Sequence, residues 1–207
     1  MFQLPYVTGP LKAPPTLNDD PGRIRNEAFF TKMYGNCEKG EVVPRMRAVQ
    51  WMPSYQGGIV MVTTVNGVAD KLEAVVRDLE KLHSTLMKDL VPSGGTYNCR
   101  HIAGTQRRSM HAYGAALDIN TKYSDYWCWP MPKHGLIQYR NKIPFEIVDA
   151  FERHGFIWGG KWYHFDTMHF EYRPELMPTR LIEAPLRPKA IPDYADRSAS
   201  FRSRQSN

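Results

Sequence analysis

Two stretches of this chain concentrate side chains that can hold a metal ion and move protons. The first is Ser109-Met-His111-Ala-Tyr-Gly114-Ala-Ala116-Leu-Asp118-Ile-Asn120. Residues 115–120 have strand character, and two-residue alternation puts Ala116, Asp118 and Asn120 on one face, with small residues at 114–116 clearing space beside it. A loop folding back before Gly114 brings His111 to the Asp118 carboxylate, and a neutral imidazole with a carboxylate is a suitable ligand pair for zinc.

The second stretch is Trp158-Gly-Gly-Lys-Trp162-Tyr-His164-Phe-Asp166-Thr-Met-His169-Phe-Glu171. Its Gly-Gly pair marks a turn between aromatic segments, and His169 opens a strand-like run that supplies a third ligand. Three protein ligands leave one tetrahedral position for water, whose pKa zinc lowers to about 7. Hydrolysis also needs a carboxylate to take the proton from water and pass it to the leaving amine, and Asp166 is the candidate. Charge developing on a carbonyl oxygen needs a further donor. Arg100 is preferred, with Arg107 and Arg108 as competitors.

Blander readings apply elsewhere. A lone histidine is most often a surface or satisfied core residue, which covers His83, His101, His134 and His154. His164 is open between entering the site beside Asp166 and packing on Trp162. Glu171 shares strand parity with His169 and is expected to support that ligand from behind. Ser109 lacks the Gly-x-Ser-x-Gly setting of a nucleophile and reads as support for the His111 loop. Trp158 and Trp162 read as core or cleft wall. Cys99 raises a thiol peptidase as an alternative, weakened by a strand-like setting that would not stabilise a thiolate.

Taken together, Ser-x-His-x-x-Gly-x-Ala-x-Asp followed by Gly-Phe-x-Trp-Gly-Gly-x-Trp and Asp-x-Met-His-Phe-Glu resembles the D-alanyl-D-alanine carboxypeptidase and phage-endolysin family of zinc peptidases, from about Gly94 to Glu171. The resemblance implies the fold shared by lysostaphin-type peptidases and the hedgehog signalling domain, one zinc ion per chain, and cleavage of peptide bonds in peptidoglycan. It places the metal ligands on His111, Asp118 and His169, the general base on Asp166 where several relatives have Glu, and the substrate-side arginine on Arg100. The hedgehog relationship keeps open a module that only binds peptidoglycan or protein, although such a module has no need of Asp166.

These residues need a scaffold. At 207 residues, with 42% hydrophobic and 23% charged, the chain suits one domain with tails. Prolines 5, 10, 14, 15 and 21 predict an extended arm over residues 1–20, with the peptidase domain at 21–183. Helices are predicted at Arg23–Tyr34, ended by Gly35, at Val68–Leu90, where apolar residues recur at three and four, and from Pro144 to Gly155. Strands are predicted at 58–65, 96–103, 115–120 and 168–172. Helices and strands do not alternate regularly, so the expected class is α+β, a small antiparallel sheet carrying the zinc site with flanking helices.

The net charge of +6 favours anionic partners, but the basic residues are scattered, which excludes a specific nucleic-acid surface. Residues 184–207 carry five basic residues against Asp193 and Asp196 and read as a flexible basic tail. No apolar run approaches the roughly 20 residues of a membrane span. Without a conventional signal sequence, the expected life history is a monomer that accumulates in the cytoplasm and reaches the wall on release, as in phage or prophage lysis, with a bacterial wall-remodelling enzyme or an injected effector as the alternatives. Three widely spaced cysteines predict reduced thiols.

Overall fold

Apolar side chains at three- and four-residue spacing after Gly67 wind into a helix because only that winding puts Leu72, Val75, Val76 and Leu79 on one buried stripe. In the computed structural model, which describes residues 4–102, 104–129 and 137–177, this is the longest helix among the described residues. In chain order the elements are α1 (Glu27–Tyr34), β1 (Met46–Gln50), β2 (Ile59–Thr63), α2 (Val68–Leu79), α3 (Met87–Leu90), β3 (Ala116–Asp118), α4 (Phe145–Glu152), β4 (Phe156–Trp158) and β5 (His169–Tyr172), joined by short 3₁₀ turns. The class is α+β with two small antiparallel sheets, compatible with the fold of peptidases of the expected type.

One sheet is the hairpin β1–β2, in register Met46 to Thr63, whose Val60 and Val62 face inward while Ile59 and Met61 face solvent. The other has the order β3–β5–β4, so β5 is hydrogen-bonded on both edges. α2 packs on β1 and α4, and α4 packs on β4. Phe151 of α4 stacks on Phe170 of β5 with ring centroids 3.8 Å apart, and Trp158 stacks on the same ring at 6.4 Å. This aromatic layer fixes the height of β5, and truncating Phe151 to Ala should cost about 3–5 kcal/mol.

Several expectations need correction. The predicted helix 68–90 divides: α2 ends at Leu79, His83 adopts extended φ/ψ (−62°, 137°) and its ring caps the next turn through Thr85, and α3 follows. The periodicity survived because Leu82 and Leu86 still rest on the same core. α1 starts at Glu27 rather than Arg23, where the Asn26 side chain accepts from the Phe29 N–H. Pro144 is the N-cap of α4 rather than its first helical residue.

Residues 96–102 form no strand and make only isolated bridges, Gly95 to Asp118 and His101 to Arg108. The expected thiols of Cys37 and Cys99 are joined in a disulfide, with Cα atoms 5.7 Å apart, and Cys128 is free and exposed. Wide spacing along the chain concealed a pair that the fold brings together, and the bond removes Cys99 as a nucleophile. His134 and the basic tail at 184–207 lie outside the described residues.

Residues 4–26 contain no helix or strand, yet they are pinned. Tyr6 is fully buried, and its hydroxyl donates to Glu152 Oε1 at 2.5 Å. The buried Lys161 ammonium pairs with Glu152 and donates to the carbonyls of Val7 at 2.9 Å and Gly9 at 2.6 Å. Further on, Tyr163 N–H donates to Asp19 O at 2.7 Å, so the segment runs beside the turn that follows β4. No described helix is long and apolar enough to cross a membrane.

Candidate metal centre

Asp118 closes β3 and His169 opens β5, and the antiparallel register sets them opposite each other. Directly paired residues on one face hold their side chains within reach, and Asp118 Oδ1 lies 3.0 Å from His169 Nδ1. His111 arrives from the 3₁₀ turn Met110–Tyr113, where Ser109 caps the turn by accepting from the His111 N–H at 3.3 Å. Gly114 ends it with φ of +66°, and its carbonyl accepts from Thr63 N–H at 2.9 Å, which anchors the loop to β2. The result places His111 Nε2 3.2 Å from Asp118 Oδ1 and 3.1 Å from His169 Nδ1.

The partners behind these atoms decide what they offer. His111 Nδ1 lies 2.5 Å from the carbonyl of Thr96, which can only accept, so Nδ1 carries the hydrogen and Nε2 presents a lone pair. His169 Nε2 lies 3.0 Å from Glu171 Oε2, which leaves Nδ1 with its lone pair turned inward when the ring is neutral. Two imidazole lone pairs and a carboxylate oxygen thus converge within 4.8 Å of one another, a donor set that fits a divalent cation such as zinc.

The charges agree. Burial opposes ionisation of Asp118, but the charge of His111, and the hydrogen bonds that the His111 and His169 rings donate when protonated, outweigh it and hold its pKa well below the carboxylate range. Burial likewise disfavours protonation of His169, yet hydrogen bonds to Asp118 and Glu171 raise it to about 9. In the metal-free protein, then, a proton is drawn to the centre of the cluster, the position a cation would compete for. Glu171 is fully buried. Despite that burial, the charge of Arg25 and the bond from His169 bring its pKa to about 2. Arg25 donates to Glu171 Oε2 at 2.5 Å and Arg173 donates to Oε1 at 2.9 Å. Desolvation lowers the Arg25 pKa in turn. Sequence reasoning gave neither Arg25 nor Arg173 a role, although Arg25 follows Asp20-Pro-Gly, a turn signal just ahead of α1.

Asp166 lines the same cleft. Its Oδ1 is sealed from solvent and has no hydrogen-bond partner among the described residues, and burial, reinforced by Asp118, raises its pKa to about 6 against the pull of His169. Its position depends on Gly159: a Cβ there would lie 2.5 Å from the Asp166 carbonyl, and Asp166 N–H donates to Gly159 O at 3.0 Å. Trp162 is buried, with its ring centroid 5.6 Å from that of His169, and forms part of the wall.

The cleft over the cluster, of ≈ 230 Å³, is bordered also by Ser109, Arg100 and Arg23. Arg100 is exposed at its mouth and donates to the carbonyl of His101 at 3.3 Å. Of the competing cations, Arg108 is turned to Glu38 and to Sγ of Cys37, and Arg107 reaches the carbonyl of Arg23. His164 stands apart, its Nδ1 2.7 Å from Asp20 Oδ2 and its ring edge-on to Trp127 at 4.8 Å. His154 pairs with Asp78, and His83 caps its turn.

Residues 103–172 match a family model described as D-alanyl-D-alanine carboxypeptidase. This span, about a third of the chain, contains His111, Asp118, Asp166, His169 and Glu171 and leaves out Arg25, Cys37, Cys99 and Arg100. No curated protein matches the chain.

Proposed function

We propose that the chain is a zinc-dependent peptidase that hydrolyses peptide bonds of peptidoglycan stem peptides or cross-bridges. The observation that carries this reading is the convergence of His111 Nε2, Asp118 Oδ1 and His169 Nδ1 with the hydrogens of both rings engaged elsewhere. The match of residues 103–172 to D-alanyl-D-alanine carboxypeptidase supports the substrate class.

Zinc held by these three side chains supplies Lewis acidity for the scissile carbonyl and makes water a stronger acid. Asp166 takes the proton from the attacking water and delivers it to the leaving amine, a task suited to a carboxylate whose pKa is raised toward neutrality. Arg100, at the mouth, meets the developing oxyanion or a substrate carboxylate. A non-catalytic binding module would not bury an unpartnered Asp166 oxygen against the ligands, which is costly without a use. The Cys37–Cys99 bond favours work outside a reducing cytoplasm, as for an endolysin-like or wall-remodelling enzyme after release.

The test is digestion of purified peptidoglycan by zinc-loaded protein, with fragments identified by mass spectrometry. New amino termini at one type of peptide bond, abolished by a chelator and restored by zinc, are expected. Intact peptidoglycan with full zinc occupancy would refute the reading.

A further inference from the structure

The cleft above the His111–Asp118–His169 cluster has a neighbour across Arg23. Arg23, Ile102 and Tyr126 border it and also border a second cavity of ≈ 580 Å³, so the two share a wall. The second cavity reaches Leu17, Ile24 and Trp127, and both Leu17 and Ile24 are conspicuously exposed for large apolar residues, at 67% and 45%. Its charge is unbalanced. Two guanidinium groups border it, Arg23 and the exposed Arg107, which donates to the Arg23 carbonyl at 3.0 Å. Arg23 is nine-tenths buried; its Nη2 donates to the His164 carbonyl at 2.6 Å, and its Nε has no hydrogen-bond partner among the described residues, with Asp20 Oδ1 3.8 Å away. Among the described residues the carboxylate on this wall is Asp20, which is engaged by His164 at 2.7 Å.

We propose that this side cavity is a substrate subsite, which receives the part of a peptide lying beyond the residues that flank the scissile bond and selects a carboxylate there. The proposal rests on the peptidase reading above. Adjacency to the cleft across this shared wall makes the occupant a further stretch of the chain being cut rather than a separate ligand. The exposed aliphatic side chains and Trp127 cover an apolar stem, and the arginines pair with its acid. A guanidinium fork recognises a carboxylate through paired N–H donors, which a neutral amide meets poorly. The ligand class is therefore an acidic peptide at least one residue longer than the minimal substrate.

The test uses the full chain loaded with zinc and three synthetic peptides that share one scissile bond: a minimal peptide, the same peptide extended by an acidic residue, and the extended peptide with that carboxyl amidated. Cleavage is followed as kcat/KM, and binding is followed by calorimetry on the Asp166→Asn protein. The acidic extension should be preferred over its amide by roughly tenfold in both readouts, the scale of one well-made subsite contact. Arg107→Gln should bring that ratio toward one. Leu17→Ser, at an exposed position where folding is not at stake, should weaken both extended peptides relative to the minimal one.

Cleavage without preference for the acidic extension overturns the subsite and leaves the peptidase reading standing. Preferential binding that Arg107→Gln erases, with no peptide cleaved, upholds the subsite and sinks the peptidase reading. No preference in either readout, or a preference untouched by Arg107→Gln, overturns the subsite.

Discussion

Glu171 Oε2 lies 3.0 Å from His169 Nε2, two residues along the same face of β5, and both arginines that neutralise this carboxylate are buried with it. The glutamate therefore sets the tautomer of a proposed ligand and compensates two cations at once. Glu171→Gln should weaken zinc affinity by about 10- to 100-fold, the usual cost of losing a ligand's outer partner. It should also destabilise the fold by about 3–5 kcal/mol, since the buried Arg25 loses its counter-charge and Arg173 keeps only Glu175. Competition with a calibrated zinc chelator and thermal melts of the metal-free protein measure the two effects separately. Unchanged affinity in a folded variant would remove the orienting role.

Asp166 should reveal itself through pH. Acting as a base it must be ionised, so kcat/KM should fall as pH drops through about 6, and a bound dication nearby should move this limb lower. The stability effect has the opposite sense. A carboxyl with its folded pKa raised above 3.8 holds its proton more tightly in the native state, so its ionisation costs stability as pH rises from about 4 through 6. Asp166→Asn should lose roughly 10²- to 10⁴-fold in rate, retain zinc, and melt at a higher temperature than the parent at pH 8 when both are metal-free. A variant with full activity would refute the assignment.

Reducing the disulfide should cost both stability and activity. Cys99 sits in the loop whose Thr96 carbonyl holds His111 and whose Arg100 borders the cleft, and Cys37 ties that loop to the turn after α1. A dithiol reductant supplies two electrons and two protons to give two thiols. Releasing a loop of 62 residues' separation is worth roughly 4 kcal/mol in the chain-entropy account. Melting curves and zinc titrations of Cys37→Ser, with and without dithiothreitol on the parent, check this. Identical behaviour of oxidised and reduced protein would mean the bond does not support the site.

Asp78 joins α2 to the end of α4, taking bonds from Lys81 and from His154 and lying near Arg153, and these partners hold its pKa at about 2. Because the folded value is depressed below 3.8, its contribution is fully present above about pH 4 and is lost as pH falls toward 2. Discounted for solvent screening, it amounts to about 1 kcal/mol. Asp78→Asn should lower the melting temperature at pH 7 and have a clearly smaller effect at pH 2.5, roughly a third of it. A constant difference across that range would show that the loss is packing rather than charge.

The two histidine stretches were legible because their chemistry is local: small residues beside Asp118 and the Asp-x-Met-His run read the same in one dimension as in three. The apolar stripe of α2 was legible for the same reason, since helical periodicity needs only neighbours along the chain. β1 and β4 escaped notice because Met46–Gln50 carries the polar Arg47 and an exposed Gln50, whereas Phe156–Trp158 is buried at every residue and so does not alternate. The thiol expectation for Cys37 and Cys99 failed on 62 residues of separation that the fold closes.

By itself, the sequence picked out side chains that can share a cation and the carboxylate proposed to act beside them. Tertiary structure alone decided which ring nitrogen each histidine turns inward, through Thr96 and Glu171. It also decided where the charges of Arg25 and Arg173 are spent and that a second cavity adjoins the cleft at Arg23. Residue types and spacing encode what a group can do. Proton placement and charge compensation depend on partners up to 146 residues away, and only packing selects those partners.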